Sequence, residues 1–257
     1  MKSVAMPVVR FIERIWIIVA LVILWWFASA DSTSVFFPPL SRLVDTFLRD
    51  MSNGRIPEAA VFSLGNLFFG LLIAIAVGVG LGILIGENER LNKIVDPIIH
   101  FARSVPQAAI VPLIVGAFGL GAGPKIYSIA LATVWPILLN TIDGVRGVDP
   151  SIRRVSRSFG IPAVLHFRRV VLPAAMPQIA AGIRVALPIG VTVMVVSELF
   201  AAKMGLGFYI LNGASTFRLA ETWTGAILVG IIGYVLALLF MAIERWTLAW
   251  YFKSGAK

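Results

Sequence analysis

The chain has 257 residues, of which 59% are hydrophobic and only 14% are charged, with a formal net charge of +9. A soluble domain of this length cannot cover so much apolar surface, whereas a protein surrounded by lipid can, so the composition predicts one membrane domain over residues 1–257. The absence of cysteine excludes disulfides, thiolate metal sites and cysteine nucleophiles, and two histidines are too few for a histidine-rich metal site.

Six stretches are long and apolar enough, or nearly so, to cross a bilayer core of about 30 Å as helices. In chain order they are residues 15–30, 59–85, 94–120, 126–142, 174–200 and 223–243. The third and fifth stretches contain several prolines, so we expect kinked helices there, inside the bundle. The predicted fold class is therefore an all-α polytopic membrane protein with about six transmembrane helices.

The lysines and arginines indicate how these helices are oriented. With a cytoplasmic N-terminus, 14 of the 22 lie in cytoplasmic segments and 6 in external ones, while Arg103 and Arg184 lie within spans. This bias predicts that both termini are cytoplasmic, and it explains the positive charge without a nucleic-acid partner. The chain has no G-x-x-x-x-G-K-[ST] sequence, so it does not bind ATP through a phosphate-binding loop of that type.

The second stretch is rich in glycine, and Gly78 and Gly82 form a G-x-x-x-G pair. This pair predicts either close packing of two helices in one chain or a contact between two subunits. We find no internal repeat, which argues against a secondary carrier built from two related halves. An integral membrane enzyme, the other alternative, would need a cluster of His, Asp or Glu at membrane depth, and Glu198 alone is available.

The cytoplasmic segment at residues 143–171 is too long for a minimal connection between helices. Asp149 followed by Pro150 is a typical helix start, so we expect a short basic helix over residues 152–158. Gly160 should end that helix, and a second short helix should follow as far as Phe167 before Leu172 opens the fifth span. Such a segment either lies on anionic lipid or docks a soluble partner.

The spacing of Gly160, Val170 and Leu172-Pro173 resembles the end of the "EAA" signature (E-A-A-x3-G-x9-I-x-L-P) of permease subunits in ABC importers. Matches along nearly the whole chain resemble the nitrate/sulfonate/taurine branch of these permeases: Phe37-Pro38-Pro39-Leu40, Arg103-Ser104-Val105-Pro106 with Pro112, Phe118-Gly119-Leu120-Gly121, Pro136-Ile137-Leu138 with Gly144, Gly182-Ile183-Arg184, and Glu198 with Gly205-Leu206-Gly207.

The resemblance implies a multi-pass permease of the bacterial inner membrane, with a type I importer fold and no catalytic residues, cofactor or metal of its own. It implies a homodimer in membrane lipid that couples to two ATP-binding-cassette ATPase subunits and receives a small anionic solute from a periplasmic or lipid-anchored solute-binding protein. The residues it implies for ATPase coupling are Arg154, Ser156, Arg157, Phe159, Gly160, Leu165, His166 and Pro173.

The acidic-Ala-Ala triplet of the signature is replaced here by Arg154-Val155-Ser156. Either the ATPase carries a compensating acidic surface, or this chain docks through apolar contacts alone. The role of the signature's acidic residue is therefore not carried over to Arg154.

Two ionisable residues in the fifth stretch, Arg184 and Glu198, are candidates for the translocation path. They are fourteen residues apart, which places them on roughly one helix face, about 21 Å apart along the axis. The residues predicted to share that face include Leu187, Pro188, Val191 and Val195. For an anionic solute, Arg184 would attract and Glu198 would gate or brace. The alternatives are an ion pair or snorkelling for Arg184, and a structural contact with the Gly205–Gly207 loop for Glu198.

Overall fold

The computed structural model describes residues 5–119, 121–201 and 203–254, with side chains described in those ranges except at residues 5–15, 18, 157, 201 and 252–254. The described residues form helices and contain no strand, which confirms the predicted all-α fold. The helices are α1 (Ala5–Ser29), α2 (Leu40–Ser52), α3 (Arg55–Glu87), α4 (Glu89–Ser104), α5 (Gln107–Phe118), α6 (Ala122–Arg146), α7 (Pro150–Ser158), α8 (Ala163–His166), α9 (Leu172–Ala201), α10 (Leu206–Ser215), α11 (Leu219–Thr247) and α12 (Ala249–Ser254).

Among the described residues, four helices are long and apolar enough to cross a membrane: α3, α6, α11 and the continuous helix Ala163–Phe200. α4 and α5 would form a fifth crossing as a pair, bent by 88°. In α1 the part described with side chains contributes a shorter apolar helix, Val19–Ser29. Each of the six predicted stretches therefore contains a helix, and Leu120, where the third was expected to end, lies outside the described residues.

Prolines act differently in the two stretches where kinks were expected. Val105 has an extended backbone (φ −76°, ψ 126°) before Pro106, and this ends α4 and starts α5. In α9, by contrast, the helix continues through Pro177 and Pro188. The structure therefore breaks the third stretch and leaves the fifth continuous.

α9 begins at Leu172, where the fifth span was predicted to open, but no break separates it from the short helix after Gly160. A π-helical turn, Phe167–Val171, joins α8 directly to α9, and the Leu172 N–H donates to the Phe167 carbonyl. Pro173 follows immediately. A proline inside a helix crowds the carbonyl four residues earlier, and a widened turn relieves that crowding.

The chain divides into two compact units, which we describe separately, and the single domain predicted over residues 1–257 stays a prediction. In the larger unit (residues 58–208 and 228–254), α3 packs closely on α6. A Cβ built on Gly78 would lie 3.0 Å from Ile137, and one on Gly82 would lie 2.6 Å from Thr141. The G-x-x-x-G pair thus packs within one chain.

A buried apolar cluster of Leu67, Val111 and Val191 joins α3, α5 and α9.

The smaller unit consists of residues 5–57 and 209–227. Its helix α2 is amphipathic, because Leu43, Thr46 and Asp50 are buried along one face. The Ser29 hydroxyl accepts a hydrogen bond from the Leu40 N–H (3.2 Å) at the start of this helix. The turn from α1 into α2 is thereby fixed within this unit.

Candidate coupling segment and translocation path

The predicted helix start at Asp149 is confirmed. Its carboxylate Oδ1 accepts hydrogen bonds from the Ser151 hydroxyl (2.6 Å) and the Ser151 N–H (2.7 Å). These bonds, first from the hydroxyl and then from the backbone, lower the pKa of Asp149. The carboxylate therefore remains charged at the positive end of the α7 dipole, where a negative charge stabilises the helix.

Gly160 ends α7 as its sequence predicts. Its φ of +61° lies in the left-handed region, which glycine adopts without steric cost. The Ile161 N–H donates to the Ser156 carbonyl (3.0 Å), the long-range bond of a Schellman motif. This motif ends α7 and leads into α8, and we refer to residues 149–167, which contain both short helices, as the coupling segment.

One side of the coupling segment is anchored to the larger unit. Arg153 forms an ion pair with Glu87 at the end of α3 (3.1 Å) and donates to the Val145 carbonyl of α6 (2.6 Å). Ser156, one turn further along α7, is buried. Phe167 packs against the buried cluster that contains Val145. A displacement of the segment would therefore pull directly on the ends of α3 and α6.

The segment also carries exposed apolar side chains. They are Ile152, Val155, Phe159, Val164 and Leu165. Phe159 is 79% exposed and Val164 is 70% exposed. An apolar patch with a charged border is typical of an interaction surface.

The other predicted coupling residues are divided between surface and interior. Arg154 is exposed, while Pro173 is half-buried within the continuous helix. His166 is half-buried, and its Nδ1 has no hydrogen-bond partner among the described residues. The side chain of Arg157 lies outside the described residues. The role of the whole set in coupling stays a prediction.

In α9, Arg184 forms an ion pair with Glu244 of α11. The Glu244 side chain is buried, whereas the Arg184 side chain remains 49% exposed. Arg184 therefore forms an ion pair, one of the alternatives considered from the sequence, and about half of its side chain remains accessible. The next predicted path residue, Pro188, is exposed, but Val191 is buried and Val195 is half-buried against the apolar cluster.

Glu198 is fully buried at the N-terminus of α10. Its Oε2 accepts hydrogen bonds from the Ser63 hydroxyl (2.8 Å) and the Gly207 N–H (2.9 Å). The Ser63 oxygen in turn accepts a bond from the Leu206 N–H (2.8 Å). A helix start leaves unpaired N–H groups and favours negative charge, so this pair caps α10.

Gly205 and Gly207 have to be glycines beside that carboxylate. A Cβ on Gly205 would lie 2.5 Å from the Glu198 carboxyl group, and Gly205 has a φ of +112°. A Cβ on Gly207 would lie 2.5 Å from the Val195 carbonyl. The contact favours the bracing alternative for Glu198, while its place on a translocation path stays a prediction.

The smaller unit contains an ion-pair network that was not predicted. Asp50 is fully buried and meets Arg49 (3.0 Å), Arg55 (3.4 Å) and the Tyr209 hydroxyl (2.7 Å). Glu221, also buried, pairs with both arginines at 3.4 and 3.2 Å. One feature of the sequence could have indicated this network: Asp50 falls at helical spacing on the same face of α2 as the buried residues Leu43 and Thr46.

The pKa of Asp50 reflects two opposed effects. Burial raises it, but hydrogen bonds from Arg49, Tyr209 and Asn53 and the charge of Arg55 outweigh the burial, so the pKa is lowered. Burial and the adjacent Asp50 carboxylate raise the pKa of Tyr209 above its usual 10.0. At neutral pH the network therefore contains an ionised carboxylate and a neutral phenol.

Residues 78–249 match the family of binding-protein-dependent transport system inner membrane components. This match covers more than half of the chain. The chain belongs to that family.

Relatives of the permease match over most of its length. The bicarbonate transport system permease protein CmpB of Synechococcus elongatus is 28% identical, over 90% of this chain and 87% of its own. The taurine transport system permease protein TauC of Escherichia coli is 29% identical, over 90% of this chain and 86% of its own length. The putative aliphatic sulfonates transport permease protein SsuC of Bacillus subtilis is 30% identical, over 83% of this chain and 77% of its own length.

Solved structures show the same fold. A chain of the inward-facing MetNI methionine ABC transporter aligns with a TM-score of 0.65 at 18% identity, covering 76% of this permease and 97% of that chain. A second crystal form of MetNI gives a TM-score of 0.59. The permease thus has the fold of type I ABC importer permeases, as its sequence predicts.

These findings establish the role of the permease in outline. It is a multi-pass inner-membrane subunit of an ABC importer, of the nitrate/sulfonate/taurine type, and not an enzyme. Membership of the family implies partnership with an ATPase, which hydrolyses ATP, and with a solute-binding protein.

Proposed function

We propose that the permease imports a small anion, such as a sulfonate or bicarbonate. The observation that carries this proposal is the likeness, over 83% to 90% of the chain, to permeases named for bicarbonate, taurine and aliphatic sulfonates. All three solutes carry an oxyanion group. The half-exposed Arg184 is consistent with an anionic cargo, because its guanidinium has five N–H donors and Glu244 occupies only part of that capacity.

The coupling segment is, in this proposal, the part that the ATPase moves. Phe159 and Val155 would enter a cleft on the ATPase through apolar contacts, and Arg154 would meet an acidic group at the edge of that cleft. Arg153 would transmit the displacement to α3 through Glu87 and to α6 through Val145. Ser156, Arg157, Leu165, His166 and Pro173 would support or border this contact.

We place the translocation path along α9. Arg184 and Pro188, both exposed, would form its open part, and Val191, Val195 and Glu198 would form its sealed part. Two copies of the permease in membrane lipid would enclose the path between them, with both termini in the cytoplasm. ATP-driven closure of two ATPase subunits would open the path outward to the solute-binding protein, and hydrolysis would reset it.

Uptake by the reconstituted importer tests this function. The permease, its ATPase and its solute-binding protein are placed in proteoliposomes, and ATP-dependent uptake of labelled taurine, ethanesulfonate, bicarbonate and choline is measured. We expect uptake of at least one of the anions and none of choline. Uptake of choline, or of none of the four despite ATPase stimulation by the binding protein, would contradict the proposed solute class.

The same assay tests coupling through Gly160. The Gly160→Pro variant cannot adopt a φ of +61°, because the proline ring holds φ near −65°. We expect insertion to be retained, but uptake and binding-protein-stimulated ATPase activity to fall at least tenfold. Gly160→Asn is the matched control, since asparagine tolerates the left-handed region, and it should retain most of both activities. Normal stimulation in the proline variant would refute the coupling role.

A further inference from the structure

A cavity of about 510 Å³ lies in the larger unit between α4, the start of α5, α6 and α9. This volume is in the range of sites for small molecules. Its polar lining includes Asp96, His100, Arg103, Asn140 and Asp143. A polar cavity among membrane-spanning helices calls for a functional explanation, because ionisable groups are costly there unless they serve one.

Arg103 is the arginine of this lining, and neither it nor Asp143, which also lines the cavity, forms an ion pair among the described residues. Arg103 also makes no hydrogen bond within the described part of the chain, although it is exposed to the cavity. Arg153 and Arg184 of the same unit are paired with Glu87 and Glu244. Asp96, in the same helix as Arg103, lies 3.7 Å from His100.

The packing of the helices shows how the charges are arranged along the cavity. Ile99 of α4 shares a buried cluster with Leu138 and Ile142, whereas Val111 of α5 shares one with Ile129, nearer the start of α6. The α4–α5 pair therefore runs in the direction opposite to α6.

It follows that the carboxylates of Asp96 and Asp143 lie towards one end of the cavity and the guanidinium of Arg103 lies towards the other. Asp96 is in the middle of α4 and Asp143 is near the end of α6, whereas Arg103 is near the end of α4, two helical turns, about 10 Å, beyond Asp96. The Arg103 end, which also includes the side chain of Gln107, carries net positive charge. That end suits a negatively charged ligand.

We propose that this cavity is a transit site for the imported solute and that Arg103 binds its oxyanion group. A planar guanidinium matches the oxygens of a sulfonate or a carboxylate in a two-point hydrogen-bonded contact. The identification of the ligand as the transported anion rests on the proposed function. The site itself, an anion-attracting cavity centred on Arg103, does not.

The absence of native cysteine allows a direct test. Val185 lines the cavity and is 52% exposed, so Val185→Cys places one thiol there. In the complete permease–ATPase complex in nanodiscs, its rate of reaction is measured with a sulfonate-bearing methanethiosulfonate and with a trimethylammonium analogue. We expect Arg103→Gln to lower the ratio of the anionic to the cationic rate by about tenfold, as expected for loss of one nearby charge.

Two further variants make the result interpretable. Arg90→Gln removes an exposed arginine of the same helix that does not line the cavity, and it should change the ratio less than about twofold. Arg103→Lys keeps the charge and should retain most of the ratio. A ratio unchanged by Arg103→Gln, or a thiol that reacts with neither reagent, would overturn the proposal.

Protection by the solute identifies the ligand. Ethanesulfonate or bicarbonate should slow modification of the Val185→Cys variant, choline should not, and Arg103→Gln should abolish the protection. Absence of protection by both anions would refute the transit site. If protection is found but uptake of anions is not, the proposed function fails and the anion site stands. If anions are taken up but the charge ratio is insensitive to Arg103, the site alone fails.

Discussion

Three arginines of the larger unit differ in their ion pairs and in their accessibility to a ligand: Arg103, Arg153 and Arg184. Arg153 is fixed by a carboxylate and a carbonyl and its side chain is only 21% exposed, so it can transmit force but is poorly accessible to a ligand. Arg184 is half exposed and shares its charge with Glu244. Arg103 lines a cavity and forms no ion pair within the described part of the chain. For an anion that crosses the membrane, we expect Arg103 to provide the stronger attraction and Arg184 a weaker one.

Asp50, in contrast, is fully buried, and its carboxylate is bonded to Arg49, Arg55 and Tyr209 of the smaller unit. We predict that Asp50→Asn lowers the free energy of unfolding by about 1–3 kcal/mol, since the amide leaves charged donors without a charged acceptor. The apparent melting temperature of the purified permease in detergent measures this loss. Asp45→Asn, an exposed position on the same helix, should change stability by less than about 0.5 kcal/mol. Equal shifts in the two variants would contradict the prediction.

The pH dependence of the same network has a definite direction. The pKa of Asp50 is lower in the folded protein than its ordinary value of 3.8. Its stabilising contribution is therefore complete above about pH 4 and is lost as the pH falls through the folded pKa. The Asp50→Asn variant should lack this component of the acid-induced loss of stability, and the difference in melting temperature between the two proteins should narrow below about pH 4.

At the scale of helices, the coupling segment shows what local sequence could and could not determine. Asp149, Pro150 and Gly160 act on their immediate neighbours, and the start and end of α7 were predicted from them. Where α8 continues into α9, Phe167 packs against a cluster that includes Val145 from α6. Local sequence signals do not specify such a contact between distant segments. For the same reason, Glu244 could not be foreseen as the partner of Arg184.

The glycines of α3 allow a matched test of helix packing. A Cβ on Gly82 would lie 2.6 Å from the Thr141 Cβ of α6, whereas a Cβ on Gly80 meets nothing within 4 Å. Gly82→Ala should therefore destabilise the permease by about 1–3 kcal/mol. Gly80→Ala should be neutral or stabilising by up to about 1 kcal/mol, since alanine favours the helix. Melting temperatures in detergent compare the two, and a loss in Gly80→Ala as large as in Gly82→Ala would show that close α3–α6 packing is not the cause.

At the scale of the whole molecule, the order of glycine contacts is consistent with helices that cross the membrane in alternate directions. From Gly70 to Gly86, α3 meets α6 at positions that advance from Ile129 to Val145, so the two helices run in the same direction. From Gly182 to Gly190, α9 meets α6 at positions that go back from Asn140 to Thr133, so it runs in the opposite direction. The α4–α5 pair returns the chain between α3 and α6.

This order, combined with the distribution of basic residues, predicts the orientation of the permease. The coupling segment should lie in the cytoplasm, and the N-terminus of α6 should lie on the outer side, because fourteen of the 22 lysines and arginines then fall inside. Two exposed small residues of the same unit, Ser158 and Ala122, report these two positions with little perturbation on replacement by cysteine.

In intact spheroplasts, a membrane-impermeant maleimide should label the Ala122→Cys variant and leave the Ser158→Cys variant unlabelled. In inside-out vesicles the pattern should be reversed, and the native chain, which has no cysteine, serves as the blank in both preparations. Labelling of both variants from the same side would contradict the crossing by α6, because these positions flank that helix. A pattern opposite in both preparations would preserve the crossing but invert the orientation, and the coupling segment would then be unable to reach a cytoplasmic ATPase.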